Sequence, residues 1–176
     1  AHADSLDEQR SRYAQIKQAW DGRQMDVVNQ LMPTLTTYPL YPYLQYRQIT
    51  DDLMNQPALV VTNFIAANPT LPPARSLKSR FVNELARRSD WRGLLAFSPD
   101  KPTGTEAQCN YYYAKWNIGQ AQEAWDGAKA LWLSGKSQPN ACDQLFGAWR
   151  ASGQQDPLAY LERIRLAMKA GNTSLV

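Results

Sequence analysis

The feature that most constrains this chain is its punctuation: apolar residues recur at helical spacing, and proline or glycine interrupts them at intervals of roughly 8 to 17 residues. The clearest passage runs from Thr105 to Gly153. Thr105-Glu106 opens a run with Cys109, Tyr112, Tyr113 and Trp116 on one face, and Asn117-Ile118-Gly119 closes it. A second run from Ala121 aligns Ala124, Trp125, Ala128, Leu131 and Trp132 before Gly135 stops it. After Pro139-Asn140, a third run carries Cys142, Leu145, Phe146 and Trp149 and ends at Gly153. Gly153 lies 34 residues beyond Gly119, the period of tetratricopeptide helix pairs.

The same grammar runs through the rest of the chain. Leu6, Tyr13, Ile16 and Trp20 form one stripe followed by Gly22. Asp26 reads as the cap of a short helix that carries Val27, Val28 and Leu31 and stops at Pro33, because proline lacks the N–H a helix interior needs. Tyr38 to Tyr46 supplies two prolines and four tyrosines at the entrance of a helix expected to run through Ile49 to Met54. Pro57 suits the start of the next helix, with Val60, Val61, Phe64 and Ile65 on its apolar face. Asn68 to Pro73 reads as a rigid connector between hairpins. Leu77, Phe81, Val82 and Leu85 mark a helix from Ser76 to Arg88, and Asp90 caps Trp91 to Phe97. Asp156-Pro157 opens a last helix with Leu158, Leu161, Ile164 and Met168 on its stripe and Gly171 at its end.

No segment alternates as a strand does, so the fold class is all-α. Antiparallel pairs of such helices bury one face within the pair and the other against the next pair. The expected architecture is a right-handed superhelical solenoid of helical hairpins, with a closed bundle as the alternative. The 176 residues and 44% hydrophobic content suit one domain with a core, and no run approaches the length of a membrane span.

Cys109 and Cys142 lie 33 residues apart, near the start of the first helix in successive hairpins. First helices of neighbouring repeats run side by side, so a disulfide between these positions is expected. A loop of this size corresponds to about 3 to 4 kcal/mol of denatured-state entropy. The competing readings are two buried free thiols, or a metal site left incomplete for want of a third ligand.

Chemistry-bearing groupings are scarce. His2 is the only histidine and sits in the first residues, which leaves no basis for a His-based triad or a zinc site. Asp51 and Asp52 are adjacent and read as solvated charges rather than an acid/base pair. Ser134-Gly135-Lys136-Ser137 ends like a phosphate loop, but the earlier glycine such a loop requires is replaced by Ala130. Asn172-Thr173-Ser174 has the form of a glycosylation sequon. The net charge of +3 is scattered, and the densest basic run, Arg75 to Arg88, is broken by Glu84, as in a solvated helix face; nucleic acid is not an expected partner. Tyr111, Tyr112 and Tyr113 point in three directions, so at least one of them should lie near the surface, where it could stack on a sugar ring or a partner chain; the competing reading is simple packing in the core. No catalytic residue, cofactor site or metal site is expected.

Several long segments carry a resemblance. They are Asp4-Ser5-Leu6-Asp7-Glu8-Gln9-Arg10, Tyr38-Pro39-Leu40-Tyr41-Pro42-Tyr43-Leu44, Asn68-Pro69-Thr70-Leu71-Pro72-Pro73-Ala74-Arg75 and Trp91-Arg92-Gly93-Leu94-Leu95-Ala96-Phe97. To these are added Cys109-Asn110-Tyr111-Tyr112-Tyr113-Ala114-Lys115-Trp116, Gln138-Pro139-Asn140-Ala141-Cys142 and Asp156-Pro157-Leu158-Ala159-Tyr160-Leu161. Together they resemble the large, ring-shaped soluble lytic transglycosylases of Gram-negative bacteria, periplasmic enzymes that act on peptidoglycan.

The resemblance implies that residues 4–176 are the N-terminal part of the superhelical U-shaped domain, and that the two cysteines correspond to a disulfide of that domain. Residues 1–3, Ala1-His2-Ala3, read as a signal-peptide remnant or an expression scar. The family's catalytic glutamate, followed by serine, belongs to a lysozyme-like domain further along. It cleaves the bond from N-acetylmuramic acid to N-acetylglucosamine and leaves a 1,6-anhydro ring. Here Glu8, Glu84, Glu106, Glu123 and Glu162 all lack a following serine, so the resemblance implies a non-catalytic segment that meets glycan strands, and cell-wall synthesis or hydrolysis proteins, as part of a larger lyase. Without the resemblance, the reading is a stand-alone periplasmic scaffold for protein interactions. The absence of a polar capping helix after Gly171 points to a segment of a longer solenoid.

Overall fold

A computed structural model describes residues 5–133, 140–154 and 157–171. The readings placed on Ala1-His2-Ala3, Gly135, Ser134-Gly135-Lys136-Ser137, Pro139, Asp156 and the Asn172 sequon lie outside those residues. Among the described residues there are ten α-helices and no strand, which is the all-α class read from the sequence. The chain divides into two compact units, Ala1–Asp52 and Leu53–Val176.

In the first unit, α1 (Leu6–Asp21) begins at Ser5, whose hydroxyl accepts from the Glu8 amide, and Asp7 and Glu8 place negative charge at the helix's positive end. The helix ends through Arg23, which takes a φ of 57°, and the Gln24 amide donates to Ala19 O at 2.8 Å. That closure makes Gln24 the N-cap of α2 (Met25–Leu31), so Asp26 lies inside the first turn instead of capping it. A 3-10 turn, Met32–Leu35, absorbs Pro33. Next comes α3 (Tyr41–Asp51), with Pro42 in its first turn. Ile16, Ala19, Trp20, Val28, Met32, Leu35, Tyr38 and Leu44 form the core of this unit, while Leu6, expected on the same stripe, is exposed.

Asp51 is not a free solvated charge. Its carboxylate accepts from the buried Trp20 indole N–H at 2.5 Å and pairs with Arg23 at 3.3 Å. On the Trp20 ring lies the Arg47 guanidinium, 5.0 Å from the centroid, which also bonds Asp21 at 2.7 Å.

The second unit opens with a 3-10 turn, Leu53–Asn55, where the helix was expected to continue. It is followed by α4 (Ala58–Ala67), α5 (Pro72–Arg87), α6 (Trp91–Phe97), α7 (Thr105–Asn117), α8 (Ala121–Trp132), α9 (Ala141–Ala151) and α10 (Pro157–Lys169). Val61 and Phe64 are the buried residues of α4, and Val60 turns outward. α5 starts four residues earlier than Ser76. Pro72 and Pro73 occupy its first turn, where a missing N–H costs nothing because that donor has no intrahelical partner. Asp90 caps α6 as read from the sequence, its carboxylate accepting from the Gly93 amide at 3.0 Å.

In the second unit, helices from α4 to α9 touch their neighbours in sequence and, repeatedly, the helix after that: α5 packs on α7, α7 on α9 and α8 on α10. This is the contact pattern of stacked helical hairpins. Gly119 and Gly153, the residues that set the period, take φ values of 93° and 76° just past α7 and α9, where a residue with a Cβ would be strained.

Candidate functional site

The stacking of α7 on α9 brings Cys109 and Cys142 to a Cα–Cα separation of 5.0 Å, and the two sulfurs are bonded. Both cysteines are fully buried, in a cluster with Ala124, Trp125, Ala128, Leu145 and Trp149. Neither the free-thiol nor the metal reading applies to a bonded pair. α7 and α8 lie close because small residues line their contact. A Cβ on Gly127 would fall 2.4 Å from carbons of the Tyr112 ring, so that ring is seated directly on the glycine. At the far end, Trp132 meets Phe146 edge-on at 5.0 Å and Trp149 at 6.2 Å, and the buried Arg163 guanidinium stacks 4.1 Å from the Trp132 ring.

α7 is sandwiched between α5 and α6 on one side and α8 and α9 on the other, so it buries two faces where the sequence reading gave it one. Ala107, Cys109, Asn110, Tyr111 and Ala114 are its buried residues. Tyr111 is therefore core, with its hydroxyl donating to Pro99 O at 3.1 Å. Asn110 donates to Asn83 Oδ1 at 2.8 Å. The residue that reaches the surface is Trp116, at 37% exposure, which the sequence reading placed on the buried stripe.

Trp116 belongs to a strip of rings that crosses three helices. Trp91 meets Tyr113 edge-on at 5.2 Å, Tyr113 lies 5.4 Å from Trp116, and Trp116 lies 6.3 Å from the buried Trp125. Trp125 anchors the strip in the core, Trp91 and Tyr113 are half-buried, and Trp116 offers the most open ring. Lys115 spans α7 and the start of α8 by pairing with Glu123 at 2.9 Å. This bond, with burial opposing it, raises the lysine above its usual pKa, so the cation is retained. Chemically, the strip offers planar apolar faces with charged groups beside them, which suits stacking rather than bond cleavage.

No grouping of three metal-ligating side chains occurs among the described residues, and no described helix is long and apolar enough to cross a membrane. Glu84 of α5 is a carboxylate held between two arginines. Hydrogen bonds from Arg87, and secondarily from Arg88, hold it below the usual range against the opposing effect of burial. Arg88 also donates to Leu53 O at 2.9 Å and Gln56 O at 3.1 Å, so this arrangement pins the 3-10 turn to α5. It is a structural clamp.

The apolar stripe expected on α10 is largely turned outward: Leu158, Leu161 and Met168 are exposed, while Arg163 and Ala167 are buried. The cause is the aromatic bed of Trp132 and Phe146, which receives a flat guanidinium on α10.

No protein-family profile matches the chain. It is 84% identical over all 176 residues to the soluble lytic murein transglycosylase of Escherichia coli strain K12, and spans 27% of that protein's length. The crystal structure of the 70 kDa soluble lytic transglycosylase of Escherichia coli superposes with a TM-score of 0.97 at 84% identity, over 98% of this chain and 28% of that one. A structure of an inactive mutant of the lytic transglycosylase Slt from Pseudomonas aeruginosa gives a TM-score of 0.84 at 35% identity, over 93% of this chain and 27% of that one.

Proposed function

We propose that this chain, which by identity along its full length belongs with the soluble lytic murein transglycosylases, serves as a non-catalytic N-terminal superhelical segment of such an enzyme. The observation that carries the reading is the unbroken match in sequence and fold, joined to a sequence that contains no Glu-Ser pair. The parent enzyme would cut the glycan of peptidoglycan in the periplasm and close a 1,6-anhydro ring on the muramic acid. This segment's own part is to supply wall surface along which glycan strands are held, and on which proteins that build or cut the cell wall can meet the enzyme. The aromatic strip ending at Trp116 gives sugar rings a face to stack on.

The test is sedimentation of the purified chain with isolated sacculi, with the supernatant assayed for anhydro-muropeptides. Sedimentation without release is the expected result, and Trp116→Ala should weaken it several-fold. Release of anhydro-muropeptides would end the non-catalytic reading, and failure to sediment would end the proposed contact with murein.

A further inference from the structure

Arg75, Lys78 and Ser79 stand at i, i+3 and i+4 on α5 and therefore share one face. Ser79 Oγ donates to Thr103 O at 2.7 Å and lies 3.2 Å from Thr103 Oγ1, which ties the loop between α6 and α7 to that face. Three more bonds hold the loop: Ser98 Oγ to Asp100 O at 2.7 Å, Gln108 Nε2 to Pro102 O at 3.1 Å, and the Tyr111 hydroxyl to Pro99 O. Ser98, Pro102 and Tyr111 are buried, so Lys101 is presented from a fixed position. Between loop and helix lies a cleft of about 340 Å³, lined by Arg75, Lys78 and Lys101 together with the apolar Ile65, Ala74 and Pro102.

No carboxylate lines this cleft, and among the described residues none of its three cations makes an ion pair. Several other cations of the chain are paired: Arg87 and Arg88 meet Glu84, Arg47 meets Asp21, and Lys115 meets Glu123, whereas Arg75, Lys78 and Lys101 stand exposed at the rim of the cleft. Three like charges gathered over an apolar floor repel one another and are relieved by a bound anion. The volume falls in the range of small-ligand sites. A lone phosphate would leave the floor uncovered, and a nucleic acid would require a longer basic track than three side chains.

We infer that this cleft binds a short peptide bearing several carboxylates and small apolar side chains, namely the peptide stem carried by murein glycan. The assignment rests on the murein reading above and names which part of the polymer this unit grips. The carboxylates meet Arg75, Lys78 and Lys101, and alanine methyl groups cover Ala74, Ile65 and Pro102.

The experiment is calorimetric titration of the chain with purified disaccharide-tetrapeptide muropeptides. A variant combining Arg75→Ala, Lys78→Ala and Lys101→Ala is compared with one combining Arg92→Ala, Lys129→Ala and Lys169→Ala, which removes the same charge from exposed positions elsewhere. Three exposed charge contacts should make the first variant bind about tenfold more weakly, with the second unchanged. Methyl-esterified stems should bind wild type as weakly as intact stems bind the first variant. Equal binding by both variants overturns the inference, as does equal binding of glycan whose stems have been removed by an amidase. If the chain sediments with sacculi but does not bind the muropeptide, the cleft assignment falls while the murein reading stands. If it does neither, both fall.

Discussion

Reducing the Cys109–Cys142 bond tests whether stacking of hairpins is held by packing alone. The bond closes a loop of sequence separation 33 between α7 and α9, and both sulfurs are already buried in an apolar cluster. The reduced thiols would keep nearly the same packing, so what is lost is restriction of the denatured chain, about 3.7 kcal/mol for a loop of this length. With an unfolding entropy of about 2.1 cal/mol/K per residue, a unit of the size of Leu53–Val176 should then melt about 12 to 15 °C lower. The assay is thermal and urea unfolding with and without a phosphine reductant, repeated on the double variant Cys109→Ala, Cys142→Ala. Hydrogen exchange should quicken most in α7, α8 and α9. The double variant should lose about 1 kcal/mol more than the reduced protein, because it also removes buried sulfur. A shift of less than about 3 °C on reduction would refute the loop-entropy argument. A loss seen only in the alanine variant would assign the effect to packing.

Gly127→Ala sets two effects of opposite sign against each other: helix propensity favours alanine by about 1 kcal/mol, but its Cβ would sit 2.4 Å from the Tyr112 ring. The expected net result is destabilisation by about 1 to 2 kcal/mol in urea melts, and a stabilised variant would show that Tyr112 moves freely. Glu84 is held below its reference pKa of 4.5, chiefly by the Arg87 hydrogen bond, so its stabilising contribution is complete above that value and lost as pH falls through its lower, folded-state value. Glu84→Gln should therefore lower the urea midpoint at neutral pH by the equivalent of about 1 to 2 kcal/mol, and the two proteins should converge in acid; a constant gap down to about pH 3 would contradict the clamp.

What the sequence disclosed and what it concealed follow from how local each cause is. Gly119 and Gly153 were readable because a left-handed turn past a helix is decided by the residue itself, and two such turns set the repeat that brings Cys109 to Cys142. Asp90 was readable for the same reason, since its cap lies within its own turn. Trp116 and Tyr111 were not, because a single apolar stripe is the signature of a helix with one buried face, and α7 is covered on two sides. The outward turn of Leu158, Leu161 and Met168 depends on Arg163 finding the rings of Trp132 and Phe146, a preference set by other helices. Asp51 looked solvated because its partner, Trp20, lies 31 residues away.

The cation cleft shows the same limit in its strongest form. In the sequence, Arg75 and Lys78 belong to a basic run broken by Glu84, and that run reads as a solvated face. In the fold, Glu84 is taken up by Arg87 and Arg88 at the C-terminal end of α5, while the Ser79 hydroxyl, midway along the helix, holds Thr103 and with it the loop that carries Lys101. The charge that appeared balanced along the chain is separated in space. A local excess of positive charge can therefore arise in a chain whose net charge is only +3, and it is invisible until the hydrogen bond from Ser79 to Thr103 is known.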